Sequence, residues 1–219
     1  SGWAKGVRNF ALERPDLLCG RQPRAINMVT IGDDLLRPAS TGFGPRIEAL
    51  VVYNSNPVAV APDSNRVQQG FGREDLFTVV LEHFLTDTAL YADIVLPATT
   101  QLEHLDVHTS YGHTYVLMNQ PAIAPLGQAK PNTEIFRELA RRMGFDEPCL
   151  RDSDEALAAQ ALPGIDIERL RAHGWLRLPV PDRPFAEGGY ATPDGRAQVA
   201  PQGWGVPDHV PPHESVQSA

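Results

Sequence analysis

Leu76-Phe77-Thr78-Val79-Val80-Leu81-Glu82 and, eleven residues on, Asp93-Ile94-Val95-Leu96-Pro97 decide how this chain folds. Both are short, almost unbroken apolar runs rich in β-branched residues, the pattern of strands covered on two faces. The second run is stopped by its own proline. Between them, residues Thr86 to Tyr91 have room for one short helix, with Thr86 or Asp87 as its cap. Upstream, Ile47-Glu48-Ala49-Leu50-Val51-Val52-Tyr53 is a third run of the same kind. It ends at Asn54-Ser55-Asn56-Pro57, a strong turn signal.

Helical patterns alternate with these runs. Asp63 to Gly70 is a short helical stretch with Asp63 or Ser64 at its cap. Pro131 to Met143 is the clearest helix in the chain. Asn132 or Thr133 caps it, and Glu134 lies in its first turn. Ile135, Phe136, Leu139, Ala140 and Met143 share one face, and Gly144 ends it. Tyr115-Val116-Leu117-Met118 reads as a fourth strand. Strands alternating with helices predict an α/β fold, a doubly wound, Rossmann-like parallel sheet. Val51, Val52, Val79, Val80, Ile94 and Val95 are its expected core. Ligands of such sheets bind at the carboxyl ends of the strands. Three loops follow from that rule: Asn54 to Pro57, Glu82 to Thr88, and Pro97 to His108.

Outward from this centre the organisation falls into four parts. Residues 1–46 read as a lead-in with a helix, and 47–150 as a nucleotide-binding α/β domain. Residues 151–178 read as a helical appendage, from Asp154 to Leu162 and Asp166 to His173. Residues 179–219 read as a Pro/Gly-rich linker. Within it, Tyr190 to Arg196 forms a turn opening toward a possible strand, Ala197-Gln198-Val199. The start has no basic region followed by an apolar stretch, and no Met, and the end has no closing element. The expectation is a processed chain or a piece of something longer.

Composition excludes several classes. With 219 residues and 42% hydrophobic content, the chain suffices for one domain of generous size, or for one domain plus an appendage. Lys+Arg is 19 against 27 Asp+Glu, a net charge of −8, which is the wrong sign for binding a nucleic-acid backbone. No apolar run is long enough for a membrane span. The two cysteines, Cys19 and Cys149, are too far apart in sequence for a Cys-x-x-Cys metal or cluster motif.

Candidate chemistry concentrates on the three loops. Asn54 to Pro57 is either a plain turn or a segment whose amides touch a nucleotide. Glu82, at a strand end, is either solvated or an acceptor for a guanine edge or ribose hydroxyls. His104, Asp106 and His108, with His83 and His113 nearby, offer an alternative. Imidazole and carboxylate ligands on alternate residues would make this a small metal-dependent hydrolase. A non-catalytic interaction module is a further alternative. No Gly-x-Gly-x-x-Gly, P-loop or Gly-x-Ser-x-Gly element occurs.

The order of segments resembles a known family. Leu50 to Pro57 is followed by Phe77 to Ala98, with its Thr86-x-Thr88-Ala89-x-x-Ala92-Asp93-x-x-Leu96-Pro97 run. Then come Glu103-His104 and Pro125-Leu126-Gly127-Gln128-Ala129-Lys130-Pro131-Asn132. Over about residues 24–145 this is similar to the third domain of molybdopterin oxidoreductases of the dimethyl sulfoxide reductase family. Periplasmic nitrate reductases, formate dehydrogenases and biotin sulfoxide reductases are members. The resemblance implies a doubly wound unit that holds the nucleotide end of one of two molybdopterin guanine dinucleotides. It places Asn56 at a cofactor-contacting position. It places Leu81 and Glu82 where the family often has Ser-Asp or Ser-Glu, leaving Leu81 only its backbone. His104 stands where nitrate reductases carry Lys, and Asn132 where they carry Asp. With Asn54, Pro57 and Thr86 these residues make the expected cofactor-binding set.

Residues Tyr190 to Val199 are similar to the entry of the family's fourth domain, whose body is missing. The family's cysteine cluster and the segment ligating molybdenum have no counterpart here. The resemblance therefore implies a fragment of a bacterial molybdenum oxidoreductase, inactive alone, with the remaining domains of the parent as its partners. It leaves the parent's compartment open, with the cytoplasm ranked ahead of the periplasm.

Overall fold

The computed structural model describes residues 14–181, 183, 185–199 and 203. The chain divides into two units, one running to Leu178 and one starting at Pro179. In the first, three consecutive apolar runs become the strands β1 (Ala49–Tyr53), β2 (Phe77–Glu82) and β3 (Ile94–Pro97). They form a parallel sheet in the order β1-β2-β3, with Val51 opposite Val79 and Val80 opposite Val95.

Three short helices pack on one face of this sheet: α1 (Ile31–Leu36), α2 (Pro57–Val60) and α3 (Ser64–Phe71). Asp63, itself in the left-handed region at φ 54°, caps α3 through its carboxylate. Helices α1 and α3 meet at two glycines. A Cβ on Gly32 would stand 2.7 Å from the Val67 nitrogen, and one on Gly70 would stand 2.8 Å from the Leu35 Cβ. That approach buries Leu35, Val67 and Phe71 against Val52 and Val80. Arg73 ties the layer together by donating to the carbonyls of Leu35 (2.6 Å) and Ile47 (3.0 Å).

The second face is covered less. Helix α4 (Asn132–Arg142) reaches it, with Phe136 edge-on to Tyr53 at 5.5 Å, and Leu81 is buried. Val51 is nevertheless 53% exposed and Ile94 44%. The expectation that all six valine and isoleucine positions are core therefore holds for Val52 and Val80 and fails for Val51 and Ile94. A strand of a covered parallel sheet and one with an open face carry the same apolar run. The runs predict a strand, but what covers each face depends on the rest of the fold.

The remaining strands differ from expectation in kind. β4 (Asp106–Thr109), β5 (Tyr115–Asn119) and β6 (Trp175–Arg177) form a separate antiparallel sheet in the order β4-β5-β6. Tyr115 to Met118 is thus a strand, but not of the parallel sheet. Helices α5 (Asp154–Ala161) and α6 (Ile167–His173) accompany this second sheet, capped by the side chains of Ser153 and Asp166. Val116 and Leu170 are fully buried there.

Helix α4 begins at Asn132, but neither Asn132 nor Thr133 caps it. Pro131 holds the cap position, without a side-chain bond. Gly144 ends it at φ 75°. The helix expected from Thr86 to Tyr91 shrinks to a single 3-10 turn, Ala89–Tyr91, with the Thr86 hydroxyl accepting from the Ala89 N–H. In the second unit, the Gly189 and Tyr190 N–H groups both donate to the Gly195 carbonyl, closing the expected turn. Ala197 to Val199 is not a strand. Among the described residues no helix is long and apolar enough to cross a membrane.

Candidate functional site

Parallel strands place their carboxyl ends on one side, so the segments after β1, β2 and β3 share one edge of the sheet. The segment around Thr88 fastens that edge. Thr88 is fully buried. Its hydroxyl donates to Asn56 Oδ1 (2.7 Å) and accepts from the Val58 N–H (3.1 Å), and its own N–H also donates to Asn56 Oδ1 (3.1 Å). The Asn56 amide further donates to Asp87 (3.4 Å). Asn56 and Thr88 thereby clamp the loop after β1 to the loop after β2. At the opposite, amino end of the sheet Asp93 bridges the starts of β2 and β3, its carboxylate accepting from the Thr78 N–H at 2.6 Å.

Asn54 stands at φ 53°, a left-handed conformation that Asn adopts more readily than most residues. The Asn132 amide, released from capping, donates to Asn54 Oδ1 at 3.2 Å. Asn132 Oδ1 is enclosed and has no hydrogen-bond partner among the described residues. The turn after β1 and the start of α4 therefore meet through two carboxamides. Pro57 opens α2. Glu82 closes β2 opposite Pro97; its Oε1 accepts from the His83 N–H at 2.7 Å. The Leu81 side chain is buried, which leaves only its backbone for a ligand.

Beyond β3 a second network holds His104. Its Nδ1 shares a hydrogen bond with the Thr99 hydroxyl at 2.8 Å. His83 Nε2 donates to the Thr99 carbonyl at 2.9 Å. Glu103, 7% exposed, accepts from the Thr100 N–H and hydroxyl and from the Leu126 N–H. Those bonds, the Thr100 N–H first, hold its carboxyl below the usual carboxylate range. Lys130 hydrogen-bonds Glu134 (2.7 Å) and Glu138 (2.6 Å), and that pairing raises its pKa. Its backbone continues the edge of β3, bridging to Ala98.

The set expected from the sequence divides accordingly. Asn54 and Asn132 touch, Asn56 and Thr86 serve the loops themselves, Glu82 stands at its strand end, and His104 joins Thr99. The alternative metal triad does not assemble. Asp106 and His108 lie on β4 at 4.0 Å while His104 bonds Thr99, and among the described residues no three such side chains could hold a metal ion. Sequence reasoning missed Thr88, Thr99 and Glu103 as the residues that fix the loops. The signal for them was a polar side chain bordering an apolar run, which a buried position must satisfy by hydrogen bonding.

Residues 35–142 match the family model described as molybdopterin oxidoreductase. The chain is 46% identical over 197 residues to the probable oxidoreductase YoaE of Bacillus subtilis, covering 86% of this chain and 28% of that protein. It is 35% identical over 164 residues to a putative formate dehydrogenase of Staphylococcus haemolyticus, covering 71% of this chain and 16% of that protein. Acetylene hydratase from Pelobacter acetylenicus shares the fold, with TM-score 0.70 at 22% identity over 99% of this chain and 32% of that one. The chain thus spans little more than a quarter of the length of YoaE, and less of the formate dehydrogenase. On the family-model match and the sequence relatives, this chain is part of a larger protein and belongs to the molybdopterin oxidoreductase family.

Proposed function

We propose that the carboxyl edge of β1, β2 and β3, with the start of α4, holds the guanine nucleotide end of a molybdopterin guanine dinucleotide in a larger oxidoreductase. The observation that carries this reading is the Asn54–Asn132 pair. It leaves Asn132 Oδ1 enclosed, with no partner among the described residues, at the edge where parallel sheets take ligands. An amide oxygen in that state suits an N–H or hydroxyl donor. Glu82 adds a carboxylate, which pairs with the two N–H donors of a guanine edge or with ribose hydroxyls. The first turn of α4 has no side-chain cap, so its N–H groups are available to a phosphate. Asn56 and Thr86 act as positioning residues. His104, oriented by Thr99, borders the same loops.

When bound, such a cofactor carries molybdenum and supplies its redox chemistry. This chain's residues would bind and orient its nucleotide end. The reading is of a binding segment that does not turn over alone, and the parent's substrate is set by other parts of the protein. The test is made in a protein of the relatives' length that contains these residues. Glu82→Ala and Asn132→Ala are expected to lower the guanine nucleotide released by acid hydrolysis of the purified protein, and molybdenum with it. Guanine content equal to that of the unaltered protein would overturn the proposal.

A further inference from the structure

The turn after β3 brings the side chains of Thr99 and His104 into contact. Glu103 accepts from the Thr100 N–H and hydroxyl, and its own N–H donates to the Thr100 carbonyl at 2.9 Å. That reciprocal bonding closes one tight turn, with Thr99 and His104 at its two ends. The Thr99 N–H donates to the Lys130 carbonyl (3.1 Å), and the Asn119 amide donates to the His104 carbonyl (2.8 Å). Both backbones are thus held where the side chains meet, with Thr99 Oγ1 2.8 Å from His104 Nδ1.

The direction of that bond follows from burial. Thr99 is 2% exposed, so its hydroxyl proton has no bulk water to turn to. His104 Nδ1 is the hydroxyl's one partner among the described residues. A neutral imidazole carries its proton on one nitrogen only. With the proton on Nδ1, the threonine oxygen would accept and its own proton would be buried without an acceptor. The hydroxyl therefore donates, Nδ1 accepts, and the imidazole proton stands on Nε2. Nε2 is accessible, and no described residue bonds it. Glu103 and Asp154 lie within electrostatic reach of the ring, but Thr100 and Leu126 hold the first and Arg137 the second.

We propose that Thr99 is a positioning residue: its hydroxyl confines His104 to the Nε2–H tautomer and so presents one N–H donor to an oxygen of the nucleotide at the carboxyl edge. The acceptor is a phosphate oxygen or an oxygen of the nucleoside; a ligand donor would find no lone pair on that nitrogen. Thr99 acts through two groups at once. Its carbonyl accepts from His83 Nε2 at 2.9 Å, so His83 carries its proton on the same nitrogen, but by way of the backbone. The tautomer of His104 is independent of any ligand; only the use of its N–H rests on the proposed nucleotide site.

The test reads the imidazole nitrogens of the isotope-labelled 219-residue chain by nuclear magnetic resonance at about pH 8.5, two units above the ordinary histidine value. His104 should show its proton on Nε2, with the other tautomer suppressed about tenfold or more. A proton on Nδ1 would overturn the proposal even if no variant folds. Thr99→Val keeps the branched shape and removes the hydroxyl. It should let the second His104 tautomer appear and leave His83 unchanged, and Thr99→Ser should restore the single form. A single Nε2–H form in Thr99→Val would overturn the role of the hydroxyl. Guanosine monophosphate and guanosine are then added separately. Movement of His104 Nε2 with the monophosphate alone marks a phosphate oxygen as acceptor, and movement with both marks the nucleoside. A still Nε2 while Asn54 to Pro57 shift would overturn the inference and leave the nucleotide site standing. No shift anywhere would overturn the nucleotide site and with it the use of this N–H. In a protein of the relatives' length, Thr99→Val and His104→Ala should each lower the guanine content severalfold. The double variant should lose no more than His104→Ala alone; independent, multiplying losses would show that Thr99 does not act through His104.

Discussion

The two sheets of the first unit are built on opposite plans. β1, β2 and β3 come from consecutive runs within Ala49 to Pro97 and lie side by side, so each loop between them arrives at a shared edge. β4, β5 and β6 are gathered from Asp106 to Arg177, and the last strand comes from far along the chain. The parallel sheet concentrates polar groups at one end, where Asn54, Asn56, Glu82 and Thr99 stand. The antiparallel sheet buries Val116 and Met118 and holds the neighbouring loop in place. Its Asn119 amide donates to the Gln101 carbonyl (2.5 Å) and the His104 carbonyl (2.8 Å). Alternating order along the chain built the candidate site; long-range pairing built its support.

The most damaging change should be Val80→Asp, in the fully buried centre of the parallel sheet. An unpaired charge there costs several kcal/mol, about the whole stability of a domain. The variant should lack a cooperative thermal transition; one that melts like the unaltered chain would remove β2 from the core. Leu170→Ala makes the corresponding cut beneath the antiparallel sheet. A buried Leu→Ala change costs about 2–5 kcal/mol, so denaturant unfolding should shift while a fold remains. An unchanged midpoint would mean that α6 does not support β5 and β6.

Asn56→Ala should cost less, about 1–3 kcal/mol, because it strands the buried Thr88 hydroxyl and N–H. Calorimetry should show the loss. If it shows none, Asn56 does not clamp the loops. Glu103 gives the mildest effect, one of pH. Its carboxyl is held below the ordinary carboxylate range in the fold, so its contribution is complete above that range. The contribution is lost as pH falls through the depressed folded value. Glu103→Gln should therefore flatten the acid side of a stability-against-pH curve. An identical acid limb in the variant would contradict the three hydrogen bonds.

The parallel strands and α4 were legible because their signals are local. An apolar run bounded by turns, or a periodic face ended by Gly144, needs no partner to be recognised. β6 was not legible: Trp175-Leu176-Arg177 has no pattern of its own and becomes a strand by pairing with Tyr115 to Leu117. The exposure of Val51 and Ile94 was hidden for the same reason, since coverage of a face is decided elsewhere in the molecule. In the site, residue types pointed to the correct loops but not to their bonds. Asn132 has the chemistry of a cap, yet it reaches Asn54 across the sheet edge. The resemblance led to the family because its motif joins Thr88, which fastens this edge, to Asp93, which ties the starts of β2 and β3 at the other end of the sheet.

The central claim, that this edge binds a guanine nucleotide, is tested most directly by titrating one into the isotope-labelled 219-residue chain and following its amide resonances. Part of the cofactor recovers part of the contact energy and still loses its translational freedom, so a dissociation constant of about millimolar is expected. The account predicts shifts at Asn54 to Pro57, Leu81 to Thr88 and Pro131 to Glu134, with the outer β-sheet resonances of Tyr115 to Asn119 unmoved. Shifts confined to His104 to His113, or no saturable shift at the carboxyl edge at millimolar nucleotide, would contradict it.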